Sequence, residues 1–166
     1  PFVFGRGGEE CDALRAAGLQ VQVVSGLTAG IAGPAAIGIA VTDRRHAPGV
    51  ALVTGHARDG GAGPDWAALA RSGLTLVVYM GVARLQHIVQ GLMDGGLAGS
   101  TPVAVISAAH TPQQRQALST LDAVQATVQQ KALGSPALLV IGDVALGAAQ
   151  ALAPEAIPLT LGSRSA

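Results

Sequence analysis

Two hydrophobic periods alternate along this chain. Short uninterrupted apolar runs, the pattern of buried strands, are separated by segments whose apolar positions recur every three to four residues, the pattern of amphipathic helices. Their alternation is the mark of an α/β domain. Residues 8–17 have helical spacing, with Ala13, Leu14 and Ala17 on one side. Val21-Gln22-Val23-Val24 reads as a short strand, and the small-residue stretch 28–37 as a helix capped by Ser25 or Thr28. Val50-Ala51-Leu52-Val53 is a second strand, ending at Thr54-Gly55-His56.

The glycine-rich stretch from Asp59 to Pro64 predicts a surface loop, after which Asp65 caps a helix that runs to Arg71. Residues 74–80 are continuously apolar, as expected of a central strand covered on both faces. Residues 81–95 read as an amphipathic helix that turns Leu85, Ile88, Val89 and Leu92 inward. Residues 102–106 predict a strand. Residues 111–131 are mixed, with a short strand near 117–119 and a helix over 121–133 through Leu121, Val124 and Val128. Residues 136–142 form the last predicted strand. Beyond Gly147 the chain is rich in Ala and Pro, and residues 151–166 are expected to form a disordered tail, frayed from Pro158 onward. With no internal repeat and no clear linker, the expectation is five or six strands in one mixed sheet with helices on its faces.

Composition narrows the class. At 166 residues, 49% hydrophobic and 12% charged, the chain can bury a sizeable core and is not a disordered segment. Ten basic and ten acidic residues leave no net charge, so nothing points to a nucleic-acid or membrane-surface partner held by bulk electrostatics. The single cysteine, Cys11, cannot form an internal disulfide and suits a reducing cytosol, so a cytoplasmic location is expected. No apolar run is long enough to span a bilayer. The opening Pro1-Phe2-Val3-Phe4-Gly5 has neither an initiator Met nor signal-peptide organisation, and reads like the middle of a protein.

Three turns are candidates for chemistry. Gly7-Gly8, leading into a helix, can bring backbone N–H groups close to an anion, with Arg6 beside them to pair with a carboxylate or phosphate; the plainer reading is a glycine turn with a solvent-facing Arg. Residues 24–30 form a strand–turn–helix, and ligands of open α/β sheets gather at such strand ends; a packed helix start explains it equally. Tyr79-Met80-Gly81 closes the most apolar strand, where Met80 is either a pocket wall or plain core. His46, His56, His87 and His110 show no metal-ligand spacing; His56 and His110 fall at strand ends, and His87 is expected on an exposed helix face. There is no nucleophile elbow and no phosphate loop. The residues alone thus give an α/β domain with ligandable turns and no reaction.

Several segments taken together carry a resemblance. PFVFGRGGEE, VVSGLTAGIAGPAAIGIAVTDRRHA, VALVTGH, DWAALARSGLTLVVYMG, TPVAVI, TPQQR and SPALLVIGDV occur in this order and cover most of residues 1–145. All four aromatic residues (Phe2, Phe4, Trp66 and Tyr79) lie within them. The chain resembles the tetrapyrrole methylase family, and within it the uroporphyrinogen-III C-methyltransferases. That resemblance implies two α/β domains with S-adenosylmethionine between them, of which residues 1–40 would be the end of the N-terminal subdomain and a hinge, and residues 41–150 the C-terminal mixed-sheet α/β/α subdomain. It implies methylation of uroporphyrinogen III to precorrin-2, for sirohaem and cobalamin synthesis, by a homodimer that needs no metal. Val3, Thr28, Ala29, Met80, Ala109 and Ala137 match cofactor contacts, and Arg6 matches an arginine that meets a substrate carboxylate. Catalysis would rest on alignment of donor and acceptor and on proton management at the pyrrole. The acid/base residues would belong to the N-terminal region this chain lacks, so the chain by itself is expected to be inactive.

The chain departs from the family pattern at defined points. Ser25 stands where a Pro is usual, Asp43 where a His is common, and Ser107-Ala108-Ala109-His110 where Glu-x-Gly-Thr is typical. Ala109 adds a methyl group where backbone and ligand approach closely, which bears on cofactor affinity. The alternatives are another corrin-ring methylase of the same family or a non-catalytic cofactor-binding or dimerisation module.

Overall fold

A computed structural model describes residues 1–56 and 63–148. Helix α1 (Gly7–Ala16) and helix α2 (Ala29–Ala36) precede strand β1 (Val50–Thr54). Helix α3 (Trp66–Ala70), strand β2 (Thr75–Tyr79), a 3-10 turn (Val82–Arg84) and helix α4 (Leu85–Asp94) follow. Strands β3 (Pro102–Ser107) and β4 (Arg115–Thr120), helix α5 (Val124–Gln130), strand β5 (Ala137–Ile141) and a 3-10 turn (Asp143–Leu146) complete the order. The strands form one sheet in the order β1-β2-β5-β3-β4. Strands β1 and β2 run parallel, and β5 lies antiparallel between β2 and β3, with β4 antiparallel on the far edge. The sheet is mixed, as the alternating pattern predicts, and among the described residues it has five strands.

Alternation along the strands divides the core between two faces. Leu76, Val78, Val103, Val105, Leu139 and Ile141 pack on one face against Trp66 of α3, Leu85, Ile88 and Leu92 of α4, and Val124 and Val128 of α5. Val77, Ala104, Ile106, Leu138 and Val140 pack on the other against Ile37, Ile39, Ala47 and the turn residues Val144 and Ala145. The central strands are therefore apolar at nearly every position, Thr75 and Ser107 excepted, because both faces are covered. Helix α3 starts where its cap predicts, with the Asp65 carboxylate accepting from the Ala68 N–H at 2.9 Å.

The structure corrects three local expectations. Residues 21–24 form no strand: Val21 and Val23 are half-buried and Gln22 and Val24 exposed, so the alternation survives, but no described strand pairs with them. A strand requires a ladder partner, which local spacing cannot supply. Helix α2 starts at Ala29 with Thr28 in the cap position, yet neither Ser25 nor Thr28 makes a side-chain cap bond. The segment 81–95 opens as a 3-10 turn and becomes α-helical only from Leu85. Most of the predicted 59–64 loop, and the tail from residue 149, lie outside the described residues.

Candidate functional site

The carboxyl ends of β1, β2 and β3 and the amino end of β5 share one edge of the sheet, a consequence of the antiparallel insertion of β5. A cleft of about 610 Å³ opens there, within the range of small-molecule sites. Ala29 of α2, Tyr79 at the end of β2 and Met80 after it, Ala108, Ala109 and Thr111 after β3, Ser135 and Pro136 leading into β5, and Ala137 at its start line it, with Ile106 and Leu138 among its walls. The described lining is largely apolar and carries no Asp, Glu, His, Lys or Arg. Ser107, just behind it, is buried and donates its hydroxyl proton to the Gly134 carbonyl at 2.5 Å.

Helix α2 reaches this edge because it presents glycine to the sheet. Gly30 and Gly33, three apart and so on one face, are both buried; a Cβ at Gly30 would strike the Tyr79 phenol and one at Gly33 would lie 2.8 Å from Leu138 Cδ1. Tyr79 Oη accepts from the Gly30 N–H at 2.5 Å and lies 2.6 Å from Thr28 Oγ1. The Tyr79 ring also meets that of Phe4, with centroids 4.9 Å apart and planes tilted by 55°. Across the cleft, His110 Nε2 lies 2.8 Å from the Ala32 carbonyl oxygen, joining the turn after β3 to α2. Met80, Ala108 and His110 have φ of 53°, 48° and 61°. Side-chain-bearing residues in the left-handed region are uncommon, and strain of that kind collects at functional sites.

Of the residues that the resemblance points to, Ala29, Met80, Ala109 and Ala137 come together around this cleft. Thr28 adjoins it through its bond to Tyr79, and Val3, exposed, precedes the Phe4 ring that lies on Tyr79. Arg6 is apart from it, lining a separate shallow surface with Gly5, Glu9, Glu10 and Ala13. Its guanidinium is paired with Glu9, whose hydrogen bond and charge raise its pKa, and both side chains are largely exposed. His87 is exposed on α4, His46 and His56 are exposed, and among the described residues no group of three or more His, Cys, Asp and Glu gathers as for a metal ion. Sequence reasoning missed Tyr79's hydroxyl and the Ser135-Pro136 wall. The glycine pair at spacing three was the available signal for the close approach of α2.

Residues 1–125 match the family model described as Tetrapyrrole (Corrin/Porphyrin) Methylases. The chain belongs to the tetrapyrrole methylase family. It is 52% identical over 151 residues to a uroporphyrinogen-III C-methyltransferase of Pseudomonas fluorescens, an alignment that covers 91% of this chain and 60% of that protein. A siroheme synthase of Azotobacter vinelandii is 47% identical over 144 residues, with 87% of this chain and 31% of that protein covered. Among solved structures, uroporphyrin-III C-methyl transferase from Thermus thermophilus in complex with S-adenyl homocysteine superposes with a TM-score of 0.72 at 37% identity, covering 87% of this chain and 62% of that one. The chain thus spans about three fifths of the length of the C-methyltransferases it matches. Its mixed α/β sheet is that of the family, and no described helix is long and apolar enough to cross a membrane.

Proposed function

We propose that this chain forms the C-terminal part of an S-adenosylmethionine-dependent methyltransferase that converts uroporphyrinogen III to precorrin-2, in sirohaem and cobalamin synthesis. One observation carries the reading: four residues matched to family cofactor contacts, Ala29, Met80, Ala109 and Ala137, arrive from four separate segments at a single cleft. The cleft fits the cofactor by size and by lining, since small and apolar walls suit a flat heteroaromatic ring and a thioether arm. The bound cofactor supplies a methyl group on a cationic sulfur. Ala29, Met80, Ala109 and Ala137 form the walls that would hold it, with Thr28 and Val3 alongside.

Arg6 serves the substrate in this reading. A tetrapyrrole carboxylate would exchange with Glu9 on the guanidinium, and a planar fork of donors suits that exchange. No residue of the cleft is assigned as acid or base, in keeping with a lining free of ionisable carboxylates and imidazoles. In this reading proton transfers fall to residues of the longer parent protein, and the chain alone is inactive. Residues 1–40 act as the end of an N-terminal subdomain and hinge, and residues 41–150 as the C-terminal subdomain; the parent works as a cytoplasmic homodimer.

Grafting decides the matter. The matched residues of this chain would replace their 151-residue counterpart in the Pseudomonas fluorescens relative. Labelled S-adenosylmethionine and uroporphyrinogen III should then give labelled precorrin-2 with the graft, and no product with the isolated chain. A folded graft that transfers no label to uroporphyrinogen III sinks the proposal.

A further inference from the structure

Helix α2 begins without a cap of its own. Thr28 occupies the cap position, where a threonine hydroxyl ordinarily accepts from an N–H two or three residues on, but it makes no such bond. The first-turn N–H groups of a helix have no partner inside it. Here the Gly30 N–H donates instead to Tyr79 Oη, at 2.5 Å, and Thr28 Oγ1 shares a hydrogen bond with the same oxygen at 2.6 Å. We propose that Tyr79 is a positioning residue of the cleft, whose hydroxyl caps α2 from outside the helix and thereby fixes Thr28 and Ala29 against the cleft wall.

Three features make Tyr79 a rigid anchor for this purpose. Its backbone is held within the sheet by both neighbouring strands, paired with Thr54 of β1 and Leu138 of β5, and its carbonyl accepts from the Gly55 N–H at 2.7 Å. Its ring packs on Phe4, so the same side chain also holds the turn that precedes α1. Position 30 admits only glycine, because a Cβ would occupy the place of the phenol oxygen. The phenol oxygen has the capacity for this double duty, accepting from Gly30 while its own proton, or that of Thr28, fills the bond between the two hydroxyls. A phenylalanine at 79 would keep the ring contacts and the sheet pairing and lose only the cap. The Gly30 N–H would then lose its acceptor, and the start of α2 its tie to the sheet.

The proposal rests on the cofactor reading of the cleft, and the test separates the two. In the full chain, Tyr79→Phe should speed hydrogen exchange at the Gly30 amide by about tenfold, the scale of one lost hydrogen bond, and leave the β2 amides of Leu76 and Val78 unchanged. In the grafted enzyme the same change should raise KM for S-adenosylmethionine by about tenfold, with kcat within about twofold. Thr28→Val removes the partner hydroxyl from the helix side and should act in the same direction, and Thr28→Ser should restore both readouts. Unchanged Gly30 exchange in Tyr79→Phe overturns the external cap. Faster exchange with an unchanged KM overturns the positioning role. A wild-type graft that transfers no methyl group sinks the cofactor reading, and the Gly30 amide then decides the cap on its own.

Discussion

Two regions of this molecule contain the same kinds of apolar residue and treat them in opposite ways. In the body, Val77, Val78, Val103, Val105, Leu139 and Val140 are sealed between helices and turns on the two faces of the sheet. In residues 2–31, Phe2, Val3, Phe4, Leu14, Leu19, Val24, Leu27 and Ile31 are exposed; Leu27 is 86% accessible and Val24 79%. Eight of the eleven large hydrophobic residues described as exposed fall in this stretch. Hydrophobicity therefore sets the demand for cover, and topology decides whether it is met. Two fifths of the Pseudomonas fluorescens relative lies outside its match to this chain.

The contrast can be broken or sharpened by substitution. The largest effect belongs to the body: Ile88→Ala, at a fully buried position between α4 and the sheet, should cost about 2–5 kcal/mol. The matching truncation Leu27→Ala should stay within about 0.5 kcal/mol. Urea unfolding of both variants measures the gap, and equal costs would erase the distinction between the regions. Next comes Asp65→Ala, which removes the carboxylate that caps α3 and should cost about 1 kcal/mol in the same assay. A change indistinguishable from zero would mean that α3 is held by Trp66 packing alone.

The smallest effect concerns Asp43, in the segment between the two regions. Its carboxyl is held well below the usual carboxylate range, first by the hydrogen bond from the Arg45 side chain and then by that from the Arg45 backbone N–H. A depressed carboxyl adds stability above its unfolded pKa of about 3.9 and loses it as the pH falls through the folded value. Wild type should therefore exceed Asp43→Asn slightly at neutral pH, and the two thermal-melting curves should converge as the pH falls below about 4. A gap that persists unchanged into acid would assign the difference to something other than this ion pair, and an exposed pair is worth little in any case.

What the sequence discloses follows the range of the interaction. Uninterrupted apolar runs gave β2, β3 and β5, the three-to-four spacing gave α4, and Asp65 gave the start of α3, because each is a local rule. The segment 21–24 carries the strand alternation and is no strand, since a ladder depends on what lies alongside. The insertion of β5 between β2 and β3 creates the cleft edge, and no local pattern encodes it. For the same reason, spacing pointed to three turns, at 6–8, 24–30 and 79–81, of which the first lies apart from the cleft, while Ala109 and Ala137 entered through family resemblance. Tyr79 looked like the end of a strand; its bond to Gly30 spans 49 residues and is invisible before the chain is folded.

The three left-handed residues at the cleft, Met80, Ala108 and His110, have an evolutionary consequence. A side chain in that conformation costs roughly 1–2 kcal/mol relative to glycine's freedom there. Selection for robustness alone would drift toward glycine at all three positions, and each step would remove part of the cleft's lining or its His110 tie to α2. A thermostability screen on this scaffold is thus expected to erode its binding surface first, and mutations that stabilise it harmlessly should be sought on the far side of the sheet, around α3, α4 and α5.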